Sequence, residues 1–371
     1  MSRALAALLV TTHPVAPPWD SADKHIAAAI LRHADGTSLT YFGRAGQRVA
    51  RTEGARRLPM VSLHGKPAAA ELFQAALLGT LLQPGFDLVH AVISVGPGFG
   101  RLVRAWRLVP RRFRPPMIHT APGIANPAAF ASRDERTVVV ALSERSASVL
   151  RSAGAREVVV IEPGIDLRAW PLLEPASRER TTVLFAGHCD RDGGLDTAID
   201  GVAAAQRRGE DVELLLALRH RPGRSAAREQ QEARARAAAA GLDRVEVHGE
   251  NAPMPELIGR ASLVVLPGTR LHGKADVPLV VLESLASGRP VVLGDLREFE
   301  ALGDAVVRIP AGDPEALGTA IAELAAAPAD GGEVGRRLVE RRYSEAAMAA
   351  AYLALYARVA EEFPRRRQLT S

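Results

Sequence analysis

Cysteine is nearly absent from this chain, which has a single one, Cys189, among its 371 residues. One cysteine excludes an internal disulfide and a cysteine metal cluster, and it is typical of a reducing compartment. Lysine is scarce too, occurring only at Lys24, Lys66 and Lys274, so most of the positive charge is arginine. Neither a Gly-x-Ser-x-Gly nucleophile motif nor a phosphate loop ending in Gly-Lys-Ser/Thr occurs. The sequence therefore gives no sign of the enzymes built on those two motifs.

Long hydrophobic runs are also missing. The apolar run near the start, Ala4–Val10, is too short to cross a bilayer, and no small-residue cleavage pattern follows it. We interpret this run as a buried first strand rather than a signal peptide. The expected location is cytoplasmic.

The charge balance is mildly basic, with a formal net charge of +5 and a pI of about 9.8. Such a charge permits an anionic partner without requiring nucleic acid, and no RNA-binding or zinc-finger pattern is present. We expect no nucleic-acid partner. The stretch 101–114 carries six arginines together with Trp106 and Phe113. It is either a solvated face or a peripheral contact with an anionic membrane.

Short apolar runs alternate with helical periodicity along the chain, which predicts βαβ units and a parallel sheet in each half. The predicted strands of the first half are Arg3–Thr11, Ser38–Gly43, Leu88–Ser94, Pro116–Thr120, Thr137–Ser143 and Glu157–Glu162, and its helices are Asp23–His33, Glu71–Leu82 and Glu144–Ala153. Those of the second half are strands Thr182–Ala186, Val212–Leu218, Val245–His248, Ser262–Pro267, Pro290–Leu293 and Val306–Ile309, and helices Leu195–Arg207, Ala226–Ala240, Met254–Gly259, Pro278–Ser287 and Pro314–Ala326.

A Pro-rich segment, Pro163–Arg180, is interpreted as the connection between two domains. The predicted division is an N-terminal domain over 1–165, a second domain over 166–340, and a C-terminal segment over 341–371. Helix formers fill Arg336–Phe363 almost without interruption.

The stretch Asp276–Leu293 has the clearest chemistry. Asp276 precedes a short predicted helix, and its carboxylate would cap the free N–H groups there. Pro278 suits the first helical turn, and Gly288 suits the left-handed C-terminal cap. A helix start that follows a strand's carboxyl end is where α/β sheets bind anionic ligands.

The ordered set of motifs resembles glycosyltransferase family 4. The segments that carry the resemblance are Ile161–Asp166, Leu184–Ala198, Val245–Gly249, Leu263–Pro267 and Asp276–Val292. The resemblance implies the GT-B fold: two Rossmann-like domains facing each other across a cleft, with a C-terminal helix crossing back to the first. It also implies a retaining, metal-independent hexosyltransferase with a nucleoside-diphosphate sugar as donor. The first domain would bind the acceptor, and no cofactor is expected.

The resemblance assigns donor-binding roles to individual residues. Glu283 matches the second glutamate of a two-glutamate motif and would accept hydrogen bonds from both ribose hydroxyls. Leu279 and Val280 match positions whose backbone amides meet the diphosphate. The stretch His248–Asn251, including Gly249, is placed near the nucleobase. Further donor-site candidates are Gly187, His188, Gly193, Gly194 and Arg219.

Several family positions are altered. The first glutamate of the motif falls at Ala275, the phosphate-binding arginine at His188, the phosphate-binding lysine at Gly193, and a first-domain histidine at Pro122. Lys274 and Asp276 are the expected replacements and, with His119, the catalytic candidates. For Asp276 the helix cap remains an equal alternative, and for Lys274 an exposed loop position does. Arg191 and Arg270 are further cations.

Two other functions remain open. The first is a nucleotide-sugar epimerase on the same fold, and the second is a binding protein whose site has decayed. His90 and His119 end first-domain strands, and His13, Trp19, Asp20 and Lys24 belong to a loop that could close on an acceptor. His188 and Cys189 have no further clustered ligands in the sequence, so no metal site is expected.

Overall fold

The structure is a computed structural model. It describes residues 4–16, 21–34, 36–43, 55–59, 85–96, 99, 103, 106–107, 110, 114–130, 135–175, 179–189, 191–220, 224–271, 277–327 and 332–363. Within this part the chain divides into two compact units. The first runs to Asp166 and resumes at Tyr343, and the second runs from Leu167 to Arg342.

The first unit is built on a seven-stranded sheet in the order β3-β2-β1-β4-β5-β6-β7. Every pairing in it is parallel. The strands are β1 Leu5–Thr11, β2 Thr37–Gly43, β3 Arg56–Pro59, β4 Leu88–Val92, β5 Met117–Ala121, β6 Thr137–Ala141 and β7 Glu157–Val160. The central strands are buried along their whole length because helices cover both faces of a parallel sheet.

Three helices of the first unit lie in the described part: α1 Ala22–Arg32, α2 Glu144–Ser152 and the late helix α9 Glu345–Glu362. Serine side chains cap two of them. Ser143 accepts a hydrogen bond from the Ser146 amide at 3.0 Å, and Ser344 accepts one from the Ala347 amide at 3.3 Å.

The second unit repeats the architecture with a six-stranded sheet in the order β10-β9-β8-β11-β12-β13. Its pairings are again all parallel. The strands are β8 Thr181–His188, β9 Val212–Arg219, β10 Val245–His248, β11 Leu263–Leu266, β12 Val291–Gly294 and β13 Val307–Ile309. The helices are α3 Leu195–Arg207, α4 Ala226–Ala239, α5 Met254–Arg260, α6 Leu279–Ala286, α7 Pro314–Ala326 and α8 Gly332–Arg342. In both sheets the strand order reverses beside the first strand of the unit, as it does in Rossmann folds.

Helix α9 belongs to the core of the first unit. Its residues Met348, Tyr352, Leu355, Tyr356 and Val359 are buried in the same apolar cluster as β1, β4 and α1. A backbone bridge between Ile165 and Ser344 marks the place where the chain returns. A Cβ at Gly164 would lie 2.6 Å from the Ser344 carbonyl oxygen, so only glycine permits this approach.

A buried carboxylate fixes the start of α9. Glu345 is 4% exposed and accepts two hydrogen bonds from Arg32, one of them from Nε at 2.7 Å. His33 Nε2 lies 3.1 Å from the same carboxylate. An arginine and a histidine at the end of α1 therefore hold the N-terminus of α9.

A second polar link joins α9 to the sheet. His90 on β4 is fully buried, with Nδ1 2.6 Å from the Tyr356 hydroxyl and Nε2 2.8 Å from Thr120 Oγ1. Thr120 in turn donates to the Tyr352 hydroxyl at 3.1 Å. Burial, with a contribution from His119, lowers the pKa of His90 to about 3, so the ring is neutral in the folded protein. His90 is a structural residue of the first unit.

The structure confirms the predicted α/β class and differs from the predicted elements in detail. The edge strand β3 was not predicted, because its sequence Arg-Arg-Leu-Pro lacks apolar alternation. The helical tail is two helices, α8 and α9, separated at Tyr343–Ser344. The predicted helix Glu71–Leu82 lies outside the described residues.

Only part of the basic stretch 101–114 is described. Trp106 is 3% exposed and packs in an apolar cluster with Phe99 and Val103. This indole therefore belongs to the core. The membrane contact of the stretch 101–114 stays a prediction in which Trp106 takes no part. Phe113 lies outside the described residues. In the described ranges, no helix combines the length and apolar character that a membrane crossing needs.

Replacing Glu345 with alanine should lower the free energy of unfolding by roughly 2–4 kcal/mol, because Arg32 would lose its buried partner. Urea unfolding followed by tryptophan fluorescence measures this. The matched control is Glu361→Ala, an exposed glutamate on the same helix, for which we expect a change of less than about 0.5 kcal/mol. Equal effects of the two substitutions would show that the Glu345 ion pairs do not anchor the helix.

Candidate functional site

Most of the donor-site candidates lie at one edge of the second sheet. Because every strand of this sheet runs in the same direction, their carboxyl ends meet there. Strand β8 ends with Gly187 and His188, β9 ends with Arg219, and β10 ends with His248, directly before Gly249. The fold therefore brings to one edge residues that are far apart in the sequence.

At the point where the strand order reverses, between β8 and β11, two loops meet through their backbones. Gly194 is the N-cap of α3 and has a φ of +91°, a conformation that favours glycine. A Cβ at Gly194 would lie 2.5 Å from the Gly268 amide nitrogen, and a Cβ at Gly268 would lie 2.9 Å from the Gly193 carbonyl oxygen. The Thr269 amide donates to the Asp192 carbonyl oxygen at 3.0 Å. These glycines are required by the packing of the two loops, whether or not a ligand is bound.

The N-terminus of helix α6 has an N-cap residue that makes no side-chain hydrogen bond to the helix. Pro278 is its N-cap residue, with an extended backbone, so it stands one position earlier than the sequence suggested. The helix begins with Leu279 and Val280, whose amides are among those that an α-helix leaves without intrahelical partners. The helix dipole adds partial positive charge at the same place. This end of α6 is suited to bind an anion.

Glu283 lies in the second turn of α6 and is 9% exposed. Burial raises the pKa of its carboxyl to about 7, and the positive charge of Arg219 opposes that rise. Glu283 is therefore not a solvated helix charge. It is a buried acid whose ionised form is stabilised across the sheet edge by a guanidinium from β9.

A pocket of about 380 Å³ lies beyond the ends of β9 and β10. It is lined by the whole His248–Asn251 stretch and, from the neighbouring elements, by His220 and Gln230. The sequence drew attention to His248–Asn251 but not to His220 or Gln230. The position of His220, one residue after a buried strand, was the available signal.

Two of the three catalytic candidates, Lys274 and Asp276, lie outside the described residues, as do Trp19 and Asp20. The third, His119, is fully buried. Its Nε2 lies 2.8 Å from the Ile93 carbonyl oxygen, and its ring stacks on Phe99 with the centroids 4.3 Å apart. Burial lowers the pKa of His119 to about 4. His119 is thus packed inside the first unit, and its assignment as a catalytic residue stays a prediction.

A different histidine of the first unit is accessible. His13 follows β1, its side chain is 54% exposed, and its Nδ1 lies 3.2 Å from Asp23 Oδ2. The His13 amide lies 3.2 Å from the same oxygen. Burial acts to raise the pKa of Asp23, but the hydrogen bonds and charge of His13 hold it below its usual value. Lys24, expected in an accessible loop, is instead 7% exposed within α1.

Comparison with known proteins agrees with this geometry. The sequence model of the family described as "Glycosyl transferases group 1" matches residues 180–327, which contain the sheet edge, α6 and Glu283. The match to this family thus covers most of the second unit. No curated protein is similar enough in sequence to be counted as a relative.

Solved structures of similar fold cover nearly the whole chain. Sucrose-phosphate synthase from Thermosynechococcus elongatus has a TM-score of 0.72 at 20% identity, covering 97% of this chain and 100% of that one. HepE from Anabaena, solved in complex with UDP and glucose, has a TM-score of 0.71 at 16% identity, covering 95% and 100%. A glycosyltransferase from Rickettsia africae has a TM-score of 0.71 at 15% identity, covering 97% and 99%. At these identities the likeness concerns the fold, and the chain has the GT-B fold of two Rossmann-like domains.

The raised pKa of Glu283 predicts a specific pH dependence of stability. The folded carboxyl holds its proton up to about pH 7, whereas the usual value is 4.5. The folded state therefore binds more protons between these limits, and stability falls as the pH rises through the window. Relative to Glu283→Gln, the wild type should lose up to about 3 kcal/mol between pH 4.5 and pH 8.

Urea unfolding of both proteins at several pH values measures the difference. A difference between them that does not change with pH would contradict the burial of a titrating carboxyl at this position.

Proposed function

We propose that this protein is a glycosyltransferase that moves a hexose from a nucleoside-diphosphate sugar to an acceptor hydroxyl, with retention of anomeric configuration. The observation that carries the proposal is the buried Glu283 carboxyl, acted on by the Arg219 charge, in the second turn behind the start of α6. A carboxylate and a ring of backbone amides at one sheet edge suit a ribose and a diphosphate, respectively. The match of this region to group 1 glycosyl transferases supports the same assignment.

In this proposal the second unit binds the donor. The ionised Glu283 carboxylate accepts hydrogen bonds from the two ribose hydroxyls, and the Leu279 and Val280 amides bind the diphosphate. The nucleobase occupies the pocket formed by His248–Asn251. Uracil is the base we expect, because HepE, a protein of the same fold, was solved with UDP-glucose.

Negative charge develops on the leaving diphosphate as the glycosidic bond to the sugar breaks. Preorganised amides at a helix N-terminus stabilise such charge without reorganising during the reaction. The transfer step therefore needs no metal ion in this proposal. Lys274 and Asp276, next to the start of α6 in sequence, remain the proposed replacements for the family's altered polar residues.

Acceptor binding is assigned to the first unit. His13 offers an exposed imidazole held by a buried carboxylate, at the carboxyl end of the first strand. An imidazole in this arrangement can accept a hydrogen bond from a sugar hydroxyl. The acceptor in this proposal is a compound with a free hydroxyl group.

A thermal-shift screen with UDP-, GDP- and dTDP-glucose tests the donor assignment. Because a ligand that binds only the folded state stabilises it by mass action, the preferred donor should raise the Tm, and UDP-glucose should raise it most. Glu283→Gln should weaken this shift, because an amide cannot accept both ribose hydroxyls as a carboxylate does.

Glu300→Gln is the matched control, since Glu300 is an exposed glutamate of the same unit, and we expect it to respond as the wild type does. Absence of any shift with all three donors, in wild type and control alike, would overturn the donor site. Release of an altered sugar from donor alone would favour an epimerase instead.

The pKa of Glu283 also predicts how donor affinity depends on pH. If the ribose binds the ionised carboxylate, proton release must accompany binding below about pH 7, so the Kd for UDP should fall from pH 6 to pH 8. At pH 6 about 90% of the carboxyl is protonated when the pKa is near 7, which implies a change of up to about tenfold.

Isothermal titration calorimetry over this range measures the Kd, and buffers with different ionisation enthalpies count the protons released. Glu283→Gln should remove the Glu283 contribution to the pH dependence. A wild-type Kd that rises with pH would mean that the protonated acid is the form that binds.

A further inference from the structure

Three side chains that can bind a metal ion meet beyond β8 and β9, in the second unit. The Cys189 sulfur, one ring nitrogen of His220 and one carboxylate oxygen of Glu229 all lie within 4.8 Å of one another. Within the described ranges this is the one group of three or more such side chains. The sequence showed no such cluster around Cys189, because the other two residues come from different elements.

The strand register explains why Cys189 and His220 are neighbours. Strands β8 and β9 pair in parallel up to His188 and Arg219. The Cys189 amide continues this ladder by donating to the Arg219 carbonyl oxygen at 3.2 Å. Cys189 and His220 thus directly follow the last paired residues of β8 and β9. Adjacent strands lie about 4.8 Å apart in a sheet.

Glu229 reaches the same place from α4. It is the fourth residue of that helix, and its side chain is 3% exposed. Its Oε2 lies 3.2 Å from His220 Nδ1, and the His220 side chain is 7% exposed. Burying a carboxylate is costly unless the group is paired or bound to a metal ion. The helix nevertheless directs this glutamate inward, although its neighbour Glu232 stays exposed.

We propose that Cys189, His220 and Glu229 bind a divalent transition-metal ion of the Zn²⁺ class. Thiolate sulfur, imidazole nitrogen and carboxylate oxygen are the ligand types that Zn²⁺ takes in proteins. In tetrahedral geometry such ligand atoms lie about 3.5 Å apart, which small side-chain rotations would reach here. The thiol releases its proton to solvent on binding, and the two anionic ligands then neutralise the ion.

This site adjoins the pocket proposed for the nucleobase, because His220 also lines that pocket. The simpler arrangement, a hydrogen-bonded His220–Glu229 pair with a bystander thiol, makes a different prediction, because it does not involve the cysteine sulfur. Involvement of the thiolate is therefore the property to measure. The chain helps the experiment, since Cys189 is its only cysteine.

Titration of the metal-free, full-length protein with Co²⁺ tests the proposal. We expect one ion bound per chain, with ligand-field bands in the visible and a thiolate-to-cobalt charge-transfer band in the near ultraviolet. Zn²⁺ should displace Co²⁺ and abolish both signals. Failure of Co²⁺ and Zn²⁺ to bind at protein-equivalent concentrations would overturn the proposal.

Variants assign the ligands. Cys189→Ser should remove the charge-transfer band, because no other sulfur of this kind is available. Glu229→Gln should weaken Co²⁺ affinity at least tenfold, as loss of a metal ligand or its direct support does. Glu232→Gln, one turn away and exposed, is the matched control and should bind as the wild type does. A charge-transfer band that survives in Cys189→Ser would overturn the assignment.

A measurement on the unaltered protein covers the case in which the variants do not fold. Alkylation of the Cys189 thiol should slow at least tenfold when Zn²⁺ is added in slight excess, and a chelator should restore the original rate. No protection by Zn²⁺ would exclude thiolate coordination. Because the assay contains no nucleotide, its outcome is separate from that of the donor screen.

Discussion

The parallel pairing of β8 with β9 and β11 is the constraint on which the second unit depends. Parallel strands must be joined by crossovers, so each carboxyl end delivers a loop to the same edge. Backbone register then decides which side chains become neighbours. The charge of Arg219 acts on Glu283 from the end of β9. Cys189 lies beside His220 because β8 and β9 end at the same level. The chemistry of this edge is thus determined by sheet geometry before any ligand is present.

Two carboxyl groups of this protein, those of Glu345 and Glu283, are buried, and their surroundings differ. Glu345 is held by Arg32 and His33 and joins α9 to the first unit. Glu283 is also buried, and Arg219 supplies the charge that favours its ionised form. Its raised pKa indicates that the protein does not fully stabilise the ionised carboxylate. A buried carboxylate with all its hydrogen-bond partners in place is typical of a structural role. A buried carboxyl in a site whose ionised form is not fully stabilised is typical of a group that binds a ligand.

The sequence was sufficient to predict the fold class and most elements of the second unit. The bounds of α3 and α7 were predicted as found, since Gly194 and Asp313 mark their starts. Local signals failed where tertiary contacts decide. The predicted helical tail breaks between α8 and α9 at Ser344, which pairs with Ile165 and caps α9. Strand β3 forms because β2 offers a free edge, and its own sequence does not announce it.

For the candidate site, motif order grouped Gly187, Leu279, Val280 and Glu283, and the fold places them at the end of β8 and in α6. Motif order does not predict burial, because a histidine in a strand can face either the core or the loop. His119 faces the core, whereas His13 is exposed. His220 lines the pocket, and it lies beside Cys189, because neighbouring strands end in register. The spacing of residues along the sequence does not predict that register.

The bridge between Ile165 and Ser344 also has a consequence for how the protein is made. The second unit is, in effect, an insertion between two parts of the first, and its described residues all lie between Leu167 and Arg342. During synthesis it can complete its core while the first unit still lacks Tyr352 and Tyr356. The domain that begins first is therefore finished last. Until α9 emerges, the apolar surface that it will cover stays exposed, and His90 lacks its Tyr356 partner.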